Sequence, residues 1–220
     1  MGIQIQDFRI LSDLHRRDNF GKKCAILGDC NFYYNGNNLK EFSNFFGFDL
    51  VETFDLYGNP THRMDLQNPI PEDLWNKYDL VIDAGTIYCI FDVCGVMKNV
   101  FRMLKEGGKV VHISNLSGHY GRAFYSIHPS FFNDFYSVNN FRTIYSGYRT
   151  KFNNSDYVQF NLDKNYVSGV TETEFVWSDD NFLVKWIHND SLILTCHEKT
   201  SDSVDFKKVV PLHYIKTNGK

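Results

Sequence analysis

The segment from Tyr78 to Ser114 constrains the fold more than any other part of the chain. Tyr78-Asp79-Leu80-Val81-Ile82-Asp83 is a hydrophobic run of strand length that meets a glycine, Gly85, almost at once, the pattern of a strand buried on both faces. Val93, Val96, Met97, Val100, Phe101 and Leu104 then recur at helical spacing, and Gly107-Gly108 is expected to stop that helix. Lys109 to Ser114 (KVVHIS) reads as a further strand. Strand, helix and strand in this order form a crossover unit, which lays its strands parallel in one sheet with the helix on a face. The chain is therefore expected to be α/β.

The flanking sequence repeats the alternation. Ile5, Phe8, Leu11 and Leu14 mark an opening helix over residues 5–17, ended by Gly21. Cys24-Ala25-Ile26-Leu27, closed by Gly28-Asp29, reads as the first strand, and the polar NGNN of residues 35–38 leads into the helical LKEFSNFF. Asp49 to Asp55 is expected as a second strand, Thr61 to Leu66 as a third and LWNK as helical, and Pro129 suits the first turn of a helix over SFFNDFYSVN. From about residue 141, FRTIYSGY, EFVW, FLVKWIH and SLILTC suggest an antiparallel β tail, with residues 151–170 as a polar loop. With 220 residues and no internal repeat, a single domain over 1–220 is expected: an N-terminal helix (1–20), a core (21–140) and a β-rich tail with a variable loop (141–220).

Charge and cysteine content narrow the function classes. A net charge of -3 with scattered Lys and Arg disfavours nucleic acid as a partner. The start, MGIQIQDFRI, lacks the basic and apolar regions of a signal peptide, and the most apolar stretch, DLVIDAGTIYCIF, is interrupted by Asp83 and falls short of the roughly 20 residues a membrane span needs. The five cysteines contain no CxxC, so neither a disulfide framework nor a zinc site is signalled, and a cytoplasmic protein with reduced thiols is expected. His62, His112 and His197 read as strand residues without a carboxylate partner, and no metal site or triad is expected. The 20 Phe and 13 Tyr are an excess that core packing or aromatic pocket walls could absorb.

The stretch YDLVIDAGTIYCIFDVCGVMKNVFRMLKEGGKVVHISNLSGHYGRAFYSIHPSFFNDFY, together with the upstream HRMDLQNPIPEDLW, resembles class I S-adenosylmethionine-dependent methyltransferases. The similarity is to a subgroup with a strand-borne D-G-G-T motif, an L-K-x-G-G-x hairpin and a later G-H-G-F-Y-Q-F-S-P-E-L-F-like stretch. It covers roughly half the chain, and its pieces follow the order of the strands. The resemblance implies a Rossmann-like, mostly parallel seven-stranded sheet flanked by helices, with S-adenosylmethionine across the carboxyl ends of the first strands. Open α/β sheets bind ligands at that edge, where the strand order switches.

The resemblance also implies roles. Gly28 and Asp29 follow the first strand, where the family usually carries a G-x-G-x-G loop, but Gly28-Asp29-Cys30-Asn31 offers a single glycine before Gly36. Asp55 would accept hydrogen bonds from the ribose hydroxyls, its alternative being a turn cap before Tyr57-Gly58. Asp65 and the Leu66 N–H would read the adenine edge, unless Asp65 only starts a loop. Asp83, Ala84 and Gly85 would edge the pocket beneath the sulfonium, with Asp83 alternatively fixing the turn. Tyr88 and Phe91 are candidate walls of the pocket. His119, in the loop after the fifth strand, is the candidate general base, and Tyr125 would shape the acceptor pocket.

The implied function is methyl transfer to an oxygen or nitrogen of a small metabolite, saccharide derivative or peptide. A non-catalytic binding or scaffold member of the same fold is one rival, supported by the glycine-poor loop. A nicotinamide-dependent oxidoreductase is the other, and the absence of GxGxxG counts against it.

Overall fold

The computed structural model describes residues 2–119, 121–150, 157–159 and 190–204. Its strands are β1 (Gly2–Ile3), β2 (Lys23–Leu27), β3 (Asn31–Phe32), β4 (Leu50–Asp55), β5 (His62–Arg63), β6 (Tyr78–Asp83), β7 (Leu104–Ser117), β8 (Arg142–Thr150), β9 (Val158–Gln159) and β10 (Ser191–Glu198). Its α-helices are α1 (Ile5–Asp18), α2 (Leu39–Phe46), α3 (Val93–Met103) and α4 (Pro129–Val138).

Eight strands form the main sheet in the order β5-β4-β2-β6-β7-β10-β8-β9. The neighbours from β5 to β7 pair in parallel, and β10 runs antiparallel to both β7 and β8. This is the expected mostly parallel seven-stranded sheet with an antiparallel end, extended at the edge of β8 by the two-residue β9. From β2 the chain first builds outward through β4 to β5, then returns to the other side of β2 with β6 and β7. The switch in strand order lies between β2 and β6, so their carboxyl ends diverge into a crevice.

Alternation along the buried strands supplies both faces of the sheet. Leu27, Phe54, Val81 and Val110 pack with Val96, Val100 and Met103 of α3 and Phe132 and Tyr136 of α4. Ile26, Leu80, Ile82 and Val111 pack on the opposite face with Leu11 and Leu14 of α1 and Phe42 and Phe46 of α2. Much of the aromatic excess goes here: Phe46 touches the rings of Phe8, Phe20, Phe42 and Phe48. A buried ion pair, Asp7 with Arg149 at 3.1 Å, ties α1 to β8.

Helix boundaries follow local chemistry. Asn38 caps α2 by accepting from the Glu41 N–H, and Gly47 ends it at φ +66°, a conformation that carries no penalty without a Cβ. Asp92 accepts from the Gly95 N–H at the start of α3. That helix ends at Met103, four residues before the glycine pair expected to stop it, because Leu104 is already extended and pairs with Tyr78. The third strand shrinks to His62–Arg63: the Met64 N–H makes the last ladder bond, to the Asp55 carbonyl, and Asp65 then starts a turn that the Asn68 N–H closes on its carbonyl. LWNK is not a helix: only Glu72–Leu74 make a 3₁₀ turn, and the Asn76 and Lys77 N–H groups bond to the carbonyls of Arg102 and Met103. EFVW and FLVKWIH lie outside the described residues. The sequence gives no hint of the small parallel pair between β1 and β3.

Candidate functional site

The carboxyl ends of three strands are locked together at the switch point. The Thr86 hydroxyl donates to the Leu27 carbonyl at 2.7 Å, joining the end of β6 to that of β2. The Gly28 N–H donates to the Phe54 carbonyl at 2.7 Å and the Asp29 N–H to Asp55 Oδ2 at 2.6 Å, joining β2 to β4. Gly28 and Gly85 have φ of +95° and +98°, and a Cβ on Gly85 would lie 2.8 Å from the Tyr88 hydroxyl. Both glycines therefore hold conformations that side chains resist.

Two cavities open on this edge and share Cys89. One, of about 440 Å³, is lined by Asp55, Asp65, Leu66, Thr86, Phe91 and Phe124 among others. Its size lies in the usual ligand-pocket range of roughly 300–1,000 Å³. The other, of about 240 Å³, is lined by Gln4, Tyr33, Gly85, Tyr88, His119 and Arg122 among others. The first has a strongly aromatic mouth, with Tyr57, Phe91 and Phe124 exposed by 74%, 71% and 66%.

The residues singled out from sequence converge here unequally. Asp55 borders the larger cavity at the end of β4 and also caps a turn, accepting from the Asp29 N–H and, at 3.1 Å, from the Tyr57 N–H. A carboxylate can accept about four hydrogen bonds, so two acceptor positions remain. Asp65 accepts from the Gln67 N–H at 3.0 Å and from Gln67 Nε2 at 3.1 Å, beside the Leu66 backbone. Ala84 and Gly85 line the smaller cavity, whereas Gly28 and Asp29 line neither of the two. Asp29 instead accepts from the Asn59 N–H at 3.3 Å and so secures the loop after β4.

Asp83 sits beneath the site with its carboxylate directed inward. It is fully buried, its Oδ1 accepts from the Thr86 and Ile87 N–H groups at 2.7 and 3.1 Å, and its Oδ2 lies 2.9 Å from His112 Nδ1. His112 Nε2 is 2.7 Å from the Tyr136 hydroxyl, which burial pushes well above its ordinary range. The expectation that His112 and His62 lack carboxylates is thus corrected, for His62 Nε2 also lies 3.0 Å from Glu52 Oε1. Both pairings span parallel neighbours in the sheet or its register, where sequence separation hides the contact. Among the described residues no cluster of metal-binding side chains is present.

His119 has φ +57°, a left-handed conformation uncommon outside glycine. Its Nδ1 lies 2.9 Å from Asn115 Oδ1 and 3.4 Å from Asp190 Oδ1. With the Nδ1 proton directed at these two oxygens, the ring lone pair resides on Nε2. Asn115 is buried and its Nδ2 also reaches the carbonyls of Gly118 and Tyr125, which fixes the loop that carries His119. Tyr125 lies outside both cavity walls: its hydroxyl donates to the Phe91 carbonyl at 2.9 Å, while its neighbour Phe124 lines the larger cavity. Burial raises the Tyr88 hydroxyl and the Cys89 thiol above their ordinary ranges, keeping both neutral near pH 7.

Sequence reasoning missed Asn99, Asn115, Asp190 and Gln67. Asn99 carried a readable signal: it interrupts the buried stripe of α3 between Val96 and Met103, where a polar side chain must find partners.

No family model matches the chain, and no curated protein matches it in sequence. Its fold does match known structures. A protein from Bacillus halodurans provisionally named a methyltransferase aligns at a TM-score of 0.53 and 11% identity, over 87% of this chain and 99% of the other. The 1,6-didemethyltoxoflavin-N1-methyltransferase of Burkholderia thailandensis, with bound 1,6-didemethyltoxoflavin and S-adenosylhomocysteine, aligns at 0.51 and 11%, over 88% and 78%. A SAM-dependent methyltransferase from Archaeoglobus fulgidus aligns at 0.50 and 11%, over 87% and 94%. The chain therefore has the Rossmann-like fold of S-adenosylmethionine-dependent methyltransferases.

Proposed function

We propose that the chain is an S-adenosylmethionine-dependent methyltransferase acting on an oxygen or nitrogen of a small metabolite, saccharide derivative or peptide. The observation that carries this reading is the order of groups along one sheet edge: Asp55, then Asp65 with Leu66, in one cavity, and Gly85 with His119 in the adjoining one. The donor set fits the cofactor. Asp55 retains acceptor positions for a vicinal diol, Asp65 and the Leu66 N–H form an acceptor beside a donor, and the absence of a side chain at Gly85 keeps the second cavity open.

When bound there, the cofactor supplies a methyl group already activated on a sulfonium. The protein's task is alignment, which holds the acceptor in line and excludes water. Phe91 and Phe124 wall the nucleoside side, with Tyr125 bracing Phe91 through its carbonyl. His119 Nε2 takes the acceptor's proton, while Asn115 and Asp190 hold the opposite side of the ring. A cavity of about 240 Å³ suits a compact acceptor group.

A nicotinamide reading has less support, because Gly28 leads into β3 and α2 begins only at Leu39, so no helix N-terminus follows β2 directly to receive a pyrophosphate. We place the protein in the cytoplasm as one domain, and no described helix is long and apolar enough to cross a membrane.

Asp55→Ala tests the assignment. Losing charge-assisted hydrogen bonds should weaken S-adenosylhomocysteine binding by about 1.5–3 kcal/mol, read by calorimetry. An unchanged affinity would return Asp55 to turn capping alone.

A further inference from the structure

We infer that Asn99, a buried side chain of α3 with no contact to either cavity, is the positioning residue that makes the larger cavity selective for adenine. The inference rests on the methyltransferase reading and deepens it. Asn99 is 2% exposed and lies on the apolar stripe of α3, where an amide has no packing advantage. All of its hydrogen-bonding is spent on one loop. Its Nδ2 donates to the carbonyls of Leu66 and Asn68, each at 2.8 Å, and its Oδ1 accepts from the Ile70 N–H at 3.2 Å.

That loop presents the base-reading pair. Asp65 offers a carboxylate acceptor, and the Leu66 N–H next to it is a donor with no acceptor among the described residues. The adenine edge presents an amino donor beside the N1 acceptor, which complements an acceptor followed by a donor. Hypoxanthine presents the reverse order, an oxygen beside an N1–H. Selectivity between the two therefore depends on holding the Leu66 peptide at one orientation, and Asn99 grips that residue by its carbonyl. A second strut agrees in direction: Gln67 Nε2 bonds to the Asp65 carboxylate while Gln67 Oε1 accepts from the Asp92 N–H at the start of α3. The helix thus sets the loop from both ends.

The test compares the affinities of S-adenosylhomocysteine and S-inosylhomocysteine, measured by calorimetry on the wild-type chain, Asn99→Leu and Asn99→Asp. Asn99→Asp keeps an acceptor for the Ile70 N–H and loses both donors, so it serves if the leucine variant does not fold. Val100→Ala, which thins the core beside α3 and leaves every hydrogen bond from Asn99 to the loop in place, controls for stability. The wild type and Val100→Ala should favour the adenosyl ligand by at least about 30-fold, since a site built around a hydrogen-bond pattern rejects its reversal strongly. In the Asn99 variants the preference should collapse to about 3-fold, mainly through loss of adenosyl affinity. Equal wild-type affinities for the two ligands, or an Asn99 variant that keeps the wild-type ratio, overturns the inference. Failure of the wild type to bind either ligand instead overturns the methyltransferase reading beneath it.

Discussion

Replacing Asp83 with alanine should remove the keystone between the sheet and the candidate site. The carboxylate is fully buried and holds three donors, the Thr86 N–H at 2.7 Å, the Ile87 N–H at 3.1 Å and His112 Nδ1 at 2.9 Å. Each buried donor left without a partner costs about 1–3 kcal/mol, and breaking a buried pair about 3–5 kcal/mol in total, so these terms overlap. We expect Asp83→Ala to lose about 3–5 kcal/mol, a large part of the roughly 5–15 kcal/mol that folded domains possess. Asp83→Asn should lose only about 1–2 kcal/mol, because its amide oxygen can still accept from Thr86 and Ile87 while its NH₂ donates to His112. That requires His112 to move its proton to Nε2 and donate to Tyr136 instead. Urea unfolding followed by circular dichroism at pH 7 measures both, with the midpoint falling and the slope unchanged. A loss below about 1 kcal/mol for the alanine variant would refute the reasoning, as would equal losses for the two.

Acid should expose a second buried cluster. Burial alone would push Glu52 up, but hydrogen bonds from Lys77, Tyr78 and His62, with the Lys77 charge, hold it at about 2. A carboxylate depressed on folding contributes stability that is full above its unfolded value and is lost as pH falls from about 4.5 to 2, here about 2–3 kcal/mol by equilibrium unfolding, and Glu52→Gln should flatten that part of the profile. Gly85→Ala should cost about 1–3 kcal/mol of stability from backbone strain at φ +98° and crowd Tyr88, weakening cofactor binding; an unchanged binding isotherm would show that the ligand does not approach this backbone. His119→Asn should reduce turnover by about 10²–10⁴-fold with cofactor affinity intact, and near-full turnover with the same pH profile would make the histidine structural.

What the sequence disclosed depended on the range of the interactions. The buried strands β2, β4 and β6 and helices α1 to α4 were legible because periodicity and caps are local signals. β5 was overestimated because the turn from Asp65 to Asn68 follows it at once, and β1 with β3 were invisible because they pair across nearly 30 positions. The acidic residues Asp55 and Asp65 were singled out by laying the family resemblance over those strands, and both border the larger cavity. The long-range contacts were not: the His112–Asp83 contact spans 29 residues and the Asn99–Leu66 bond 33, and although a polar residue on the apolar stripe of α3 signals a need for partners, nothing local identifies them. Tyr125, expected in the acceptor pocket, lines neither cavity because its hydroxyl is spent on the Phe91 carbonyl, a contact across 34 residues that no local period encodes.

The most direct test of the central claim is calorimetric titration of the wild-type chain with S-adenosylhomocysteine, with NAD titrated in parallel. The arrangement of Asp55, Asp65 and Gly85 at the carboxyl ends of β4, β5 and β6 calls for one-site binding of S-adenosylhomocysteine at micromolar affinity, about -8 kcal/mol, and no comparable heat with NAD. Absence of binding at millimolar S-adenosylhomocysteine, or tighter binding of NAD, would contradict it.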